Sequence, residues 1–134
     1  MEDVLAANAA FYSAFSRRDL RALEELWAHT VDLACTHPGW DVLRGRPAVL
    51  QSFRAILLGG GAPASLRCVQ PTAHALGPDA AYVLCTEAVP GGSLAATNLF
   101  VRESGAWRLV HHHAAPIARQ PSPPPPTQPP PTMN

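Results

Sequence analysis

Residues 107–113 read Trp-Arg-Leu-Val-His-His-His, and no other stretch says as much about the fold. Its tryptophan and leucine alternate with other residues, which is the two-residue period of a β-strand. Successive side chains of a strand point to opposite faces. The period therefore places His111 and His113 on the face of the two apolar residues, and His112 on the other. We expect a strand that ends with two histidines facing the protein interior.

Three further strand-like segments precede this one along the chain. They cover residues 65–76, 80–89 and 94–103, and the last strand covers 106–114. The connections between them are short and consist of residues that form tight turns: Gly77-Pro78-Asp79, Pro90-Gly91-Gly92 and Ser104-Gly105. Short turns join antiparallel neighbours, so the second half of the chain is predicted to be an antiparallel meander.

The first sixty residues have the period of helices. Apolar residues recur every three or four positions over about 3–16, 19–27 and 47–58. Between the second and third of these segments, alternation predicts a strand that ends at His37, just before Pro38. This order of elements predicts an α+β fold in which three N-terminal helices pack on one face of a curved, mainly antiparallel sheet.

The composition argues against several classes of protein. The ten basic residues are all arginine and are balanced by ten acidic residues, so we expect no nucleic-acid partner. No apolar run approaches the roughly 18 residues of a membrane span, and the acidic start Met1-Glu2-Asp3 is unlike a signal peptide. The three cysteines lack the spacing of a metal or redox motif, so reduced thiols and a cytoplasmic location are expected.

A proline-rich tail is predicted to follow the folded domain. Nine of the 15 prolines lie between residues 116 and 131, so we place the domain at 1–118 and a disordered tail at 119–134. Pro123 and Pro126 fit the P-x-x-P spacing of peptide ligands for aromatic-lined grooves. The alternative is a tail that is simply solvated, since such grooves usually also require a neighbouring cation.

Five short motifs follow the predicted elements: Asp19-Leu20, Trp27, His37-Pro38-Gly39-Trp40, Gly45-Arg46 and the stretch 107–113. Together they resemble the nuclear transport factor 2-like superfamily, and within it the SnoaL-like group, over about residues 2–117. The last motif is also similar to the association domain of calcium/calmodulin-dependent protein kinase. The resemblance implies a cone-shaped fold that encloses a pocket, a homodimer, a small-molecule ligand and no cofactor.

The ketosteroid isomerases of this superfamily suggest which residues act. Their catalytic aspartate ends the first strand, where this chain has His37, and their oxyanion-binding aspartic acid corresponds to Asn98. The place of their first-helix tyrosine holds Phe11, with Tyr12 beside it. The resemblance therefore implies His37 as general base and Asn98 as hydrogen-bond donor. An imidazole, with a reference pKa of about 6.5, suits the role of a base.

The expected function is that of a pocket protein that binds or transforms a small, largely apolar molecule. If it is an enzyme, we expect general acid–base chemistry without a cofactor. The alternative is a non-catalytic ligand-binding or dimerising association module. Besides His37 and Asn98, the residues assigned to ligand contact are Phe11, Tyr12, Trp40, Phe53, His111 and His113.

The sequence leaves open whether three histidines bind zinc and where the Glu87 side chain points. His111 and His113 together with His37 could hold zinc through three imidazole nitrogens, but the set lacks a carboxylate or thiolate, and the resemblance implies no metal. We therefore predict that the three rings do not converge. Glu87 lies in a strand-like run, and it could either pair with a histidine inside the pocket or face water.

Overall fold

Three helices and six strands make up the part of the chain that the computed structural model describes, which is residues 1–59 and 65–118. The helices are α1 (Glu2–Ser16), α2 (Leu20–Leu26) and α3 (Arg46–Leu58). The strands are β1 (Ala34–Thr36), β2 (Leu43–Arg44), β3 (Arg67–Ala75), β4 (Ala80–Val89), β5 (Gly92–Glu103) and β6 (Ala106–Pro116). This confirms the predicted α+β class. The tail predicted for residues 119–134 lies outside the described residues. No helix in the described ranges is long and apolar enough to cross a membrane.

The six strands form one mixed sheet in the order β2-β1-β6-β5-β4-β3. Strands β3 to β6 follow one another as an antiparallel meander, which the turn residues predicted. Strand β1 instead runs parallel to β6, and the short β2 pairs antiparallel with β1. The sequence prediction did not include β2, because two residues are too few to show a period.

Local signals fix the starts of α2 and α3. The Asp19 side chain accepts a hydrogen bond from the Ala22 N–H at 3.0 Å, as expected of an N-cap. Gly45 precedes α3 with a φ of 88°, a conformation that favours glycine, and Pro47 lies in the first turn. The guanidinium of Arg46 donates to the carbonyl groups of Glu24, Trp27 and Ala28, so it ties the start of α3 to the end of α2.

The core lies between the helices and one face of the sheet, which we call the inner face. Helix α1 contacts β3, β4 and β6, while α3 contacts β1 and β2. At the centre, Phe11 of α1 meets the rings of Trp27 and Phe53 edge to face, with centroids 6.4 and 5.9 Å away. Such aromatic contacts add directional stability to the burial of large apolar areas.

A β-bulge interrupts β6 at Val110. Leu99 of β5 pairs with His111, but the next residue of β5, Phe100, pairs with Leu109. Val110 is therefore an extra residue without a partner on β5. Because a bulge puts one additional residue into a strand, the alternation of faces is reversed from this point on.

This reversal overturns the predicted orientation of the three histidines. His112 is buried on the inner face, whereas His113 is exposed and His111 is half-buried on the outer face. The ring of His111 lies against the edge of β1, with Nδ1 3.0 Å from the carbonyl oxygen of Ala34. The prediction that His111 and His113 face the interior is wrong, because it assumed an uninterrupted strand.

Candidate functional site

A cavity of about 490 Å³ opens between α1, α3 and the inner face of the sheet. Its wall is mainly aromatic and aliphatic, including Phe11, Phe15, Trp40, Phe53, Ile56 and Leu94. Four polar side chains reach it: Tyr12, His37, Glu87 and His112. Among the described residues, no arginine lines the cavity. Concave apolar sites with a few convergent polar groups are typical of small-molecule binding.

The structure brings together five of the eight residues that the sequence assigned to the site. His37, Phe11, Tyr12, Trp40 and Phe53 all line the cavity. Trp40 stands at the mouth of the cavity with 47% of its surface exposed. The other three do not reach the cavity: His111 and His113 lie on the outer face, and Asn98 lies behind the wall.

His37 follows β1 and is held in one orientation. Its Nε2 lies 2.8 Å from Ser52 Oγ, and Ser52 donates its own proton to the Val49 carbonyl at 2.6 Å. Ser52 must then accept from His37, so Nε2 carries the proton and Nδ1 keeps a free lone pair. The rings of Phe53 and Trp40 pack on the imidazole at 4.9 and 5.0 Å.

Burial lowers the pKa of His37 to about 4, because the apolar surroundings disfavour the imidazolium form. The ring is therefore neutral at neutral pH. The thiol sulfur of Cys35 lies 4.0 Å from Nδ1 and 3.8 Å from Nε2, and a thiol is only a weak hydrogen-bond partner. A neutral imidazole with a free nitrogen can accept a proton.

Asn98 lies behind the cavity wall and forms hydrogen bonds with polar side chains that line the cavity. Its Nδ2 donates to Asn8 Oδ1 at 2.8 Å and to Tyr12 Oη at 3.1 Å, and its Oδ1 accepts from Nδ1–H of His112. The side chain is fully buried, and both of its amide protons are used. The predicted direct donation from Asn98 to a ligand is therefore not available. Asn98 instead orients Tyr12 and His112.

Glu87 is the residue whose place the sequence left open, and it faces the cavity with only 3% of its surface exposed. The Tyr12 hydroxyl donates to Glu87 Oε2 at 2.7 Å, and His112 Nε2 lies 3.7 Å from the same oxygen. Phe11 occupies the place of the ketosteroid isomerases' tyrosine, and its neighbour Tyr12 brings a phenol to the cavity instead.

Charge on the Glu87–His112 pair is disfavoured by burial. Burial raises the pKa of Glu87 more than the hydrogen bond from Tyr12 lowers it. Burial also lowers the pKa of His112 to about 3, with smaller contributions from neighbouring histidines. The separation of 3.7 Å would suit an ion pair, but two charges so deeply buried cost more in desolvation than they gain from each other. Burial therefore favours the uncharged forms of both side chains.

The inward position of Glu87 could be predicted from the sequence, whereas that of His112 could not. Glu87 shares its parity on β4 with Val83 and Cys85, which are both buried, so alternation along this strand indicates an inward side chain. His112 could not be found by alternation because of the bulge at Val110.

The geometry does not bring together the three histidines considered as a zinc site. His111 and His113 lie on the outer face of the sheet, whereas His37 points into the cavity. Across residues 1–59 and 65–118, no three histidine, cysteine or acidic side chains are grouped so that they could hold a metal ion.

Solved structures with the same fold include two that are about one-third identical in sequence. One is a putative dehydratase of the NTF2-like family from Streptomyces avermitilis, 34% identical, with a TM-score of 0.78 over 87% of this chain and 95% of that one. Another is a putative calcium/calmodulin-dependent protein kinase type II association domain from Thiobacillus denitrificans, 33% identical, with a TM-score of 0.69 over 84% and 94%.

Among curated proteins, the F-box protein SKIP8 of Arabidopsis thaliana is 26% identical over 115 residues. The match covers 84% of this chain but 48% of that protein, so the chain spans about half the length of this relative. A model of the SnoaL-like domain matches residues 4–119, which includes every residue that lines the cavity. The resemblance found in the sequence is thereby confirmed, and the chain belongs to the SnoaL-like domain family within the NTF2-like superfamily.

Proposed function

We propose that the chain binds a small, largely apolar molecule in the cavity and transfers protons on it without a cofactor. The observation that carries this proposal is the meeting of an aromatic wall with four polar groups at one cavity. Two of these groups, His37 and Glu87, have pKa values that burial moves in opposite directions. Burial thus favours the neutral imidazole, which can accept a proton, and the protonated carboxyl, which can donate one, as a base and an acid require.

The elimination of water is one reaction that this arrangement fits. Nδ1 of His37 takes a proton from carbon, the C–H electron pair forms a C=C bond, and the C–O bond breaks. The Glu87 carboxyl gives its proton to the departing hydroxyl, which leaves as water. The putative dehydratase from Streptomyces avermitilis, with its similar sequence, is consistent with this class of reaction.

A second candidate function is a non-catalytic association module. It is favoured by the similarity to the kinase association domain and to part of an F-box protein. In that case the outer face of the sheet, where Leu84 is 41% exposed, would be the surface for a second copy of the chain. A filled cavity would then leave the function unchanged.

Filling the cavity separates the two functions. In the Leu94→Trp variant an indole would occupy space on the cavity wall, so we expect the Kd for the neutral fluorescent probe N-phenyl-1-naphthylamine to rise at least about tenfold. Leu84→Trp places the same side chain on the outer face of the sheet and should leave the Kd within about threefold. Fluorescence titration measures both, and circular dichroism verifies the fold.

Equal binding by the Leu94→Trp variant and the wild type would contradict the proposed site. Failure of the wild-type protein to bind the probe would count against a pocket for apolar molecules and in favour of the association module.

A further inference from the structure

Two polar atoms of the cavity have no hydrogen-bond partner within the described part of the chain. They are Oε1 of Glu87 and Nε2 of His112, and the side chains that carry them are 3% and 5% exposed. Both side chains line the cavity. Polar atoms without a partner, on largely buried side chains at the wall of a cavity, indicate a place for a ligand's polar group.

The surrounding hydrogen bonds show which atoms of Asn98, His112 and Tyr12 carry protons. Asn98 uses its Nδ2 protons elsewhere, so its Oδ1 must accept from His112, and Nδ1 of His112 holds a proton. The Tyr12 hydroxyl proton points to Oε2 of Glu87. In the uncharged pair, which burial favours, the Glu87 carboxyl carries a proton on Oε1 and Nε2 of His112 is bare. The pair then offers one donor and one acceptor.

We propose that the Glu87–His112 pair recognises an uncharged head group that is both a donor and an acceptor, such as an alcohol hydroxyl or a carboxamide. This inference rests on the proposed function, because it names the class of molecule that the same cavity takes. A carboxylate only accepts hydrogen bonds, and no arginine of the described residues lines the cavity to neutralise it. An ammonium only donates, so it would leave the proton of the Glu87 carboxyl without an acceptor.

The aromatic wall gives the direction of the rest of the ligand. The ring of Phe11 lies 5.1 Å from that of His112 and 5.9 Å from that of Phe53. The Phe53 ring in turn lies 4.9 Å from His37. A ligand whose head group binds at Glu87 and His112 would therefore lay its apolar body along these rings towards His37.

Five probes with one naphthalene body test this inference in the wild-type chain. They are 2-naphthalenemethanol, 2-naphthamide, 2-naphthoate, 2-naphthylmethylammonium and 2-methylnaphthalene, with Kd measured by calorimetry at pH 7. We expect the alcohol and the amide to bind at least about tenfold tighter than the hydrocarbon, because they satisfy the two open atoms. The carboxylate and the ammonium should bind at least about tenfold more weakly than the alcohol.

The Glu87→Leu variant removes one member of the pair, and Thr86→Val serves as the control on the other face of the same strand. We expect Glu87→Leu to bring the alcohol within about threefold of the hydrocarbon, while the Kd of the hydrocarbon itself changes less than about threefold. The hydrocarbon thus reports whether the cavity is intact. Thr86→Val should preserve the wild-type ranking.

The outcomes separate this inference from the proposed function. Equal binding of alcohol and hydrocarbon by the wild type, or a preference for either charged probe, would overturn the inference and leave the apolar pocket standing. If no probe binds, including the hydrocarbon, the proposed function fails and the inference fails with it. The wild-type ranking alone decides the matter if Glu87→Leu does not fold.

Discussion

We expect the His37→Gln variant to lose about 10²–10⁴-fold in kcat on a substrate identified by screening, while its ligand affinity changes less than about threefold. Glutamine can still donate to Ser52, so the wall of the cavity keeps its shape. It has no basic nitrogen that could take a proton at neutral pH. His113→Gln, on the exposed outer face, is the matched control and should retain full activity.

The pH profile of this activity follows from the environment of His37 and Glu87. Burial lowers the pKa of His37 to about 4, so kcat/KM should rise from acid pH and level off below the usual imidazole range. It should fall again at higher pH, as Glu87, whose pKa burial raises, loses its proton. If the rate of His37→Gln falls only as far as its folded fraction does, His37 is structural and the association module becomes the better account.

Acid should destabilise the fold by at least about 2 kcal/mol between pH 6.5 and pH 4.5. His37 and His112 are buried, and burial lowers their pKa values to about 4 and about 3. The unfolded chain binds a proton at each below about pH 6.5, whereas the native state does not. Both histidines therefore contribute stability that is present above pH 6.5 and lost as pH falls towards their folded pKa values.

Glu87 opposes this effect, because burial raises its pKa and the native state holds a proton that the unfolded chain has released. Glu87 can hold one proton in the native state, whereas the unfolded chain takes up one on each of two histidines, so acid still lowers the free energy of unfolding. Each net proton corresponds to about 1.4 kcal/mol per pH unit. The pKa of Glu103 is lowered to about 2 by the backbone N–H groups of His29 and Thr30, so most of the stability that its carboxylate contributes is lost below this window.

Urea denaturation at the two pH values measures this effect. The His37→Gln variant removes one of the two histidine protons, so its free energy of unfolding should fall by about 2 kcal/mol less than that of the wild type between pH 6.5 and pH 4.5. His113→Gln should behave as the wild type does. Equal stability of the wild type at both pH values would show that the buried histidines are not neutral.

The sequence was sufficient wherever a structural feature depends on neighbouring residues. Asp19 caps α2 through its own side chain, and the glycine- and proline-containing turns determine the meander from β3 to β6. His37 ends a strand whose alternation continues into it, so its inward position was also predictable. These signals lie within a few residues of the features that they determine.

The rest of the site depends on contacts between distant strands. The bulge at Val110 is a property of the pairing between β5 and β6. Because of it, His112 faces the cavity, and His111 and His113 lie on the outer face. Asn98 faces inward as predicted, but its partners Asn8 and Tyr12 come from α1 and keep it out of the cavity. The alternation of residues along a single strand gives no information about partners from a distant helix.

The most direct test of this account is the ¹⁵N spectrum of the histidine rings at pH 7, recorded with and without 2-naphthalenemethanol. We expect two neutral rings, His37 with its proton on Nε2 and His112 with its proton on Nδ1. On addition of the probe, the Nε2 resonance of His112 should shift, while that of the exposed His113 should not. A charged His112 at pH 7, or a spectrum in which the probe moves only the outer-face histidines, would contradict the account.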